Sequence, residues 1–373
     1  ERERKRRERR ERGRMAPLSR RATHSGSWYS SSPSALTSQL DSFLSTSTRC
    51  LPCSSESPHN EQGPPPRLRA LIAPHAGYSF SGETAAWAYT HLLAGDEGRR
   101  GTGVGQGEVK RIFLLGPSHH FYTRRCALSS CHTYETPLGA LQLDAEVADQ
   151  LRQTGLFDTM EHSVDEAEHS IEMHLPYIRH VFGPDHPVRV VPILVGALDR
   201  TAEATYGRAL APYLLEDANL FIISSDFCHW GRRFKYTHYD PSAGEIFQSI
   251  EALDRKGMRL IEQQDADGFA DYQHAFHNTI CGRHPIAVLL HALDHARSFE
   301  VRHEVQFVRC RQPPIRSSSV RAHTIDSDDL WRQQLLTTMR PACTSQVRTI
   351  EPVPFDDGLL SILRFGGCMA RGR

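Results

Sequence analysis

Leu220–Gly231 reads LFIISSDFCHWG. An apolar run of strand length gives way to small residues and then delivers Asp226 and His229 within five residues of its end. The same grammar occurs twice upstream. Leu68–Ile72 (LRALI) runs into Ala73-Pro74-His75-Ala76-Gly77-Tyr78, and Arg111–Leu115 (RIFLL) runs into Gly116-Pro117-Ser118-His119-His120. Val188–Val195 (VRVVPILV) is a fourth apolar run of this length, and Phe299–Val308 reads as a late strand. Short apolar runs of this kind read as strand-like segments. Between them lie segments of helical period: Asp144–Thr154, Glu168–Val181, Thr201–Leu215, Gly244–Gln263 and Arg283–Arg297. In the last, Ile286, Leu289, Leu290 and Leu293 share one stripe. Strands alternating with helices predict an α/β fold, a mixed β-sheet layered with helices.

Three strands that each hand over a histidine carry a functional implication. In open α/β sheets ligands bind beyond the carboxyl ends of the strands, so the three loops are expected to converge. Neutral imidazole is both the commonest metal ligand and a base near pH 7, and the neighbouring Gly and Pro residues let the backbone turn sharply. The residues themselves do not choose between His119 and His120. A fourth group, His277–Pro285 (HNTICGRHP), precedes the Arg283–Arg297 helix. A thiol at Cys281 is there expected to feel the positive helix end and ionise readily, or else to be an inert packed thiol. Glu168–His174 (EHSIEMH) opens another helix, and His169 and His174, five apart, do not share its face. It reads as a capping and hydrogen-bonding segment near the site rather than a second metal centre.

Composition narrows the function. The 373 residues carry 44 Lys+Arg and 44 Asp+Glu. Residues 1–14 hold nine basic and four acidic side chains, so the remainder is mildly acidic and gives no electrostatic case for nucleic acid. No apolar stretch reaches the ~18–20 residues of a membrane helix, so no membrane insertion is expected. Nine cysteines read as cytosolic thiols, hence a cytoplasmic protein. Residues 1–19 read as a disordered basic leader, and the stretches near 49–66 and 95–110 as flexible loop insertions rich in Ser/Pro and Gly. Cys50-Leu-Pro-Cys53 and the glycine run 101–107 sit in those insertions, without a second Cys pair or a preceding strand, and are set aside.

The segments THSGSWY (23–29), APHAGY, GPSHH, EHSIEMHLPY, PILVGAL, SSDFCHWG and HNTICGRHP, in this order, resemble the Memo family, mediators of receptor-tyrosine-kinase-driven cell motility. The resemblance covers about Thr23 to Val308 and predicts one Memo-like domain over 20–310. It implies a fold similar to class III non-haem iron extradiol dioxygenases, metal ligation by His75, His119 and Cys281, and a catalytic position at His229 with Asp226 nearby. Two His and one carboxylate suit Fe(II), whereas a thiolate shifts preference toward copper or zinc, so the implied cofactor is a copper or iron ion. The implied function is a metal-binding protein with redox activity in cell-motility and cytoskeletal signalling. An adaptor for phosphotyrosine peptides and an extradiol-type dioxygenase are the alternatives, so the resemblance leaves enzymatic activity open. Residues 311–373 depart from the family after Ser317–Val320 and read as an atypical, disordered tail, leaving the sheet without its last strand.

Overall fold

A computed structural model describes residues 18–50, 67–93, 109–311 and 342–350. The leader up to residue 17 and most of both loop insertions lie outside the described residues. Among the described residues eleven strands form one sheet: β1 (Ser19–Arg20), β2 (Arg67–Ala73), β3 (Arg111–Pro117), β4 (Cys126–Leu128), β5 (Thr133–Tyr134), β6 (Leu141–Leu143), β7 (Phe157–Thr159), β8 (Arg189–Val195), β9 (Asn219–Ser224), β10 (Arg302–Arg311) and β11 (Ala342–Ile350). Their order is β1-β5-β6-β8-β3-β9-β2-β11-β10, with β4 pairing β8 and β7 off that path. The sheet is mixed, as expected. β8, β3, β9 and β2 run parallel, while β11 and β10 are antiparallel additions.

The four parallel strands are the four apolar runs of the sequence, because they are covered on both faces. One face is packed by helices α1 (Pro33–Cys50) and α2 (Tyr78–Tyr89), through Leu36, Leu40 and Tyr89. The other is packed by α7 (Arg200–Leu215), α8 (Ile246–Glu262), α9 (Ala266–Phe276) and α10 (Arg283–Arg297), through Leu210, Ile261 and Leu290. The order of the intervening helices is α3 (Ala145–Gln153), α4 (His162–Ala167), α5 (His169–Glu172) and α6 (Leu175–Phe182). The single helix expected over Glu168–Val181 is thus two, α5 and α6. Pro176 lies at the start of α6, where its missing N–H costs nothing but where it ends the preceding helix.

Two expectations are corrected. The chain past residue 310 is not all tail: Ala342–Ile350 lies between β2 and β10 in the sheet, with Val347 in the core. The cysteines are not all free thiols. Cys126, Cys131, Cys228 and Cys281 are free, but Cys310 on β10, in register with Cys343 of β11, is disulfide-bonded.

A buried charge network anchors β1. Arg20, fully buried, stands 2.8 Å from the carboxylate of Glu172 and 3.2 Å from that of Asp165, and donates to the carbonyls of Asp165 and Glu168. The network ties β1 to the segment that carries Glu168 and His169.

Candidate metal centre

The carboxyl ends of β2, β3 and β9 are neighbours in the sheet, so the loops that follow them meet. His75 follows β2, His119 follows β3, and Asp226 and His229 follow β9; Cys281 arrives from the loop between α9 and α10. Gly282 permits that last approach. A Cβ there would stand 2.3 Å from the Ser225 Cβ and 2.4 Å from the Ser224 carbonyl oxygen.

His75 is at the centre and its tautomer is fixed. Ser224 Oγ donates to the Ser170 carbonyl at 2.7 Å, so at 2.6 Å from His75 Nδ1 it acts as acceptor. His75 therefore carries its proton on Nδ1 and presents the Nε2 lone pair, 3.2 Å from Cys281 Sγ. Bonds of ~2.0–2.1 Å to nitrogen and ~2.3 Å to sulfur place two such donors ~3.1–3.6 Å apart on one ion at angles of ~90–110°. The pair fits a shared metal. Asp226 braces the assembly. Its Oδ1 accepts the backbone N–H of His75 (3.0 Å) and of Ala76 (3.3 Å), its own N–H points at Cys281 Sγ (3.1 Å), and its Oδ2 lies 4.0 Å from His75 Nε2.

His119 is clamped by Glu168, which accepts from its backbone N–H at 2.7 Å and its Nδ1 at 2.8 Å, leaving Nε2 for a ligand. Burial alone would raise the Glu168 carboxyl, but the hydrogen bond and charge of His119 hold it at about 2. The same carboxylate caps α5 by accepting from Ser170 N–H at 2.9 Å, as the capping reading of this segment anticipated. His229 donates its backbone N–H to Thr279 Oγ1 at 2.6 Å, and its Nδ1 lies 2.9 Å from the Thr279 carbonyl, so the ring is held against the loop that leads to Cys281.

The donors group as two triplets that share His75: His75, Asp226 and Cys281, and His75, His119 and His169, each with its ligand atoms within 4.8 Å of one another. Among the described residues no such cluster contains both His119 and Cys281. His169, set aside in the sequence because it does not share a helix face with His174, stacks on His119 with ring centroids 4.4 Å apart. His174 points elsewhere, its Nδ1 2.8 Å from Tyr89 Oη. Burial holds His75 well below the usual imidazole range and brings His169 to about 3, assisted by the neighbouring rings, so both offer neutral nitrogens.

Cys281 takes the second of the two states the sequence leaves open, the packed neutral thiol. It precedes α10, yet burial pushes its thiol up and the Asp226 carboxylate pushes it further, outweighing the backbone N–H groups of Asp226 and Gly282. It is a neutral thiol until a cation displaces its proton.

The family model described as Memo-like protein matches residues 20–325. The chain belongs to the Memo family. This Memo-family chain is 47% identical over 274 residues to Protein MEMO1 of Xenopus laevis, covering 73% of this chain and 84% of the frog protein. It is 44% identical over 299 residues to Protein MEMO1 of Homo sapiens, covering 78% and 92%. Protein memo-1 homolog of Caenorhabditis elegans is 40% identical over 305 residues, covering 80% and 79%. A crystal structure of uncharacterized protein JW3007 from Escherichia coli K12 aligns with a TM-score of 0.43 at 13% identity, covering 74% of this chain and 98% of the bacterial one. No helix among the described residues is long and apolar enough to cross a membrane.

Proposed function

We propose that this Memo-family chain is a cytoplasmic metal-binding protein that holds one copper or iron ion through His75 and Cys281, with His119 as the third ligand. The observation that carries this reading is the 3.2 Å approach of a tautomer-fixed imidazole nitrogen to a free thiol. Such an ion, when bound, supplies one-electron chemistry toward oxygen and organic reductants. The chain's own part is to orient and to move protons. Ser224 and Glu168 keep the two imidazole lone pairs aimed inward, and Asp226 holds the His75 and Cys281 loops together. His229, held by Thr279 through its backbone N–H and Nδ1, is the imidazole assigned to take or give a proton at the site. A thiol where extradiol enzymes keep a carboxylate argues against ring cleavage. Oxygen consumption by the metal-loaded protein tests the redox reading. His229→Ala is expected to lower turnover while metal content stays; parallel loss of both would remove His229 from the chemistry.

A second reading, an adaptor for phosphotyrosine peptides in signalling to the cytoskeleton, is favoured by the surface beside the crevice. Phe121 and Tyr122 follow directly on the two histidines and are exposed, and Arg124 lies against Tyr122 with Nε 3.1 Å from its hydroxyl. Exposed rings with a guanidinium suit a phosphorylated aromatic side chain. Phosphopeptide binding that persists without metal and falls in Arg124→Ala would support it.

A further inference from the structure

We propose that His169, with His75 and His119, forms an all-imidazole ion site that competes for His75 with the thiol-bearing triplet, so that the kind of ion selects which set is used. The inference rests on the metal-binding reading and extends it. One nitrogen from each of the three rings lies within 4.8 Å of the others. The His75 ring stands at 71° to that of His119 and 76° to that of His169, with centroids 5.2 and 5.5 Å away. Two stacked rings therefore face the edge of the third.

One ring nitrogen of His169 has no hydrogen-bonding duty within the protein. Its Nδ1 is buried with no hydrogen-bond partner. The nearest carboxylate oxygen, Glu168 Oε1, is 3.5 Å away and already accepts from His119 Nδ1 and Ser170 N–H. A buried ring nitrogen without a partner costs free energy unless something occupies it. The ring is held in place by Trp28 at 4.5 Å between centroids and by His119 at 4.4 Å.

The two sets differ in softness. Thiolate selects Cu(I), whereas imidazoles suit Ni(II), Cu(II) and Zn(II). Both sets draw on His75, and the copper or iron site proposed above draws on His119 as well; one lone pair serves one ion, so occupancy of one set excludes the other.

The test is equilibrium binding of Ni(II) and, separately, Cu(I) to the full chain and to Cys281→Ser, His169→Ala and His169→Phe. The phenylalanine variant keeps the stack on Trp28 and His119 while removing the donors. Cys281→Ser is expected to keep Ni(II) affinity within about threefold and to lose Cu(I) affinity by about 100-fold or more. Both His169 variants are expected to lose Ni(II) affinity by about 10–100-fold while keeping Cu(I). Nickel bound by the unsubstituted chain should show no thiolate-to-nickel charge-transfer band. If His169→Phe binds Ni(II) as tightly as the unsubstituted chain, or that band is present, the imidazole site is wrong while the thiol site stands. If the unsubstituted chain binds neither ion, the metal reading falls with it.

Discussion

The carboxylate of Glu168 accepts both the backbone N–H and the Nδ1–H of His119, at 2.7 and 2.8 Å, and so fixes the position and the tautomer of the ring together. Outer-shell carboxylates of this kind raise ligand basicity and remove rotational freedom before an ion arrives. Glu168→Gln puts an amide N–H where one of three donors now points. Affinity for copper or iron is expected to fall about 10–100-fold, measured by competition with a chromophoric chelator. Loss of the cap on α5 is expected to add ~1 kcal/mol of destabilisation in urea.

Of the free cysteines among the described residues, Cys281 is the one not fully buried, yet its thiol is held in the neutral form. Metal-free protein is expected to alkylate at Cys281 before Cys126, Cys131 or Cys228, but at neutral pH at least about tenfold more slowly than an unhindered thiol, because the thiolate is the reacting species. The rate should climb with pH through the alkaline range, and metal should suppress it. Binding must also release the thiol proton, so affinity should weaken as pH falls. Rapid modification of Cys281 at pH 7 in metal-free protein would show that the helix end, rather than burial, governs the thiol.

Asp254 on α8 ties together the two loops that carry His229 and Cys281. Its carboxylate accepts from Asn278 Nδ2 at 2.8 Å and lies 3.4 Å from the Cys228 backbone N–H. Burial pushes this carboxyl up from 3.8 to about 7. A carboxyl raised on folding is protonated more in the folded than in the unfolded chain between those values, so its contribution is full below pH ~4 and is lost as pH rises to ~7. The buried imidazoles held low act in the opposite sense, so the difference between variant and parent is the quantity to measure. Asp254→Asn is expected to gain on the parent by on the order of 3–4 kcal/mol between pH 4 and pH 8 in denaturant titrations. A difference that does not change with pH would mean that Asp254 is ionised in the folded protein throughout.

Arg20 neutralises two buried carboxylates at once, Glu172 and Asp165. Burial works against its charge, but Glu172 and its neighbours raise it further than burial lowers it. Arg20→Met leaves those carboxylates buried without their cation and is expected to cost ~3–5 kcal/mol of unfolding free energy. Unchanged stability would mean that water or rearrangement compensates them.

The parts of the fold legible in the sequence are those where burial dominates. β2, β3, β8 and β9 are covered on both faces, so they stand out as apolar runs, and their observed bounds lie within two residues of the expected ones. α1 was hidden by its many Ser and Thr, and α2 by the glycine and polar residues among its small apolar ones. The short strands β4 to β7 are two or three residues long and carry no period to detect. β11 was missed because it follows a stretch unlike the family; its ACTSQVRTI alternates enough to place Val347 inward. Within the site, the loops that carry His75, His119, His229 and Cys281 are legible from their place after strands or before a helix, but the choice of His119 over His120 comes from the family resemblance alone. His169 was judged by its spacing to His174 on one continuous helix, and the break between α5 and α6 removes the basis of that judgement. The state of Cys281 stays open in the sequence because a helix end is visible there, whereas the desolvation that decides for the neutral thiol is not.

His75 belongs to both donor triplets, so the central claim stands or falls on it. The decisive measurement is an equilibrium titration of the full chain and of His75→Ala with copper, with bound metal counted after desalting. The account predicts about one equivalent on the unsubstituted chain and loss of tight binding, by about 100-fold or more, in the variant, which stays folded by circular dichroism. Binding by His75→Ala with unchanged stoichiometry and affinity would contradict it.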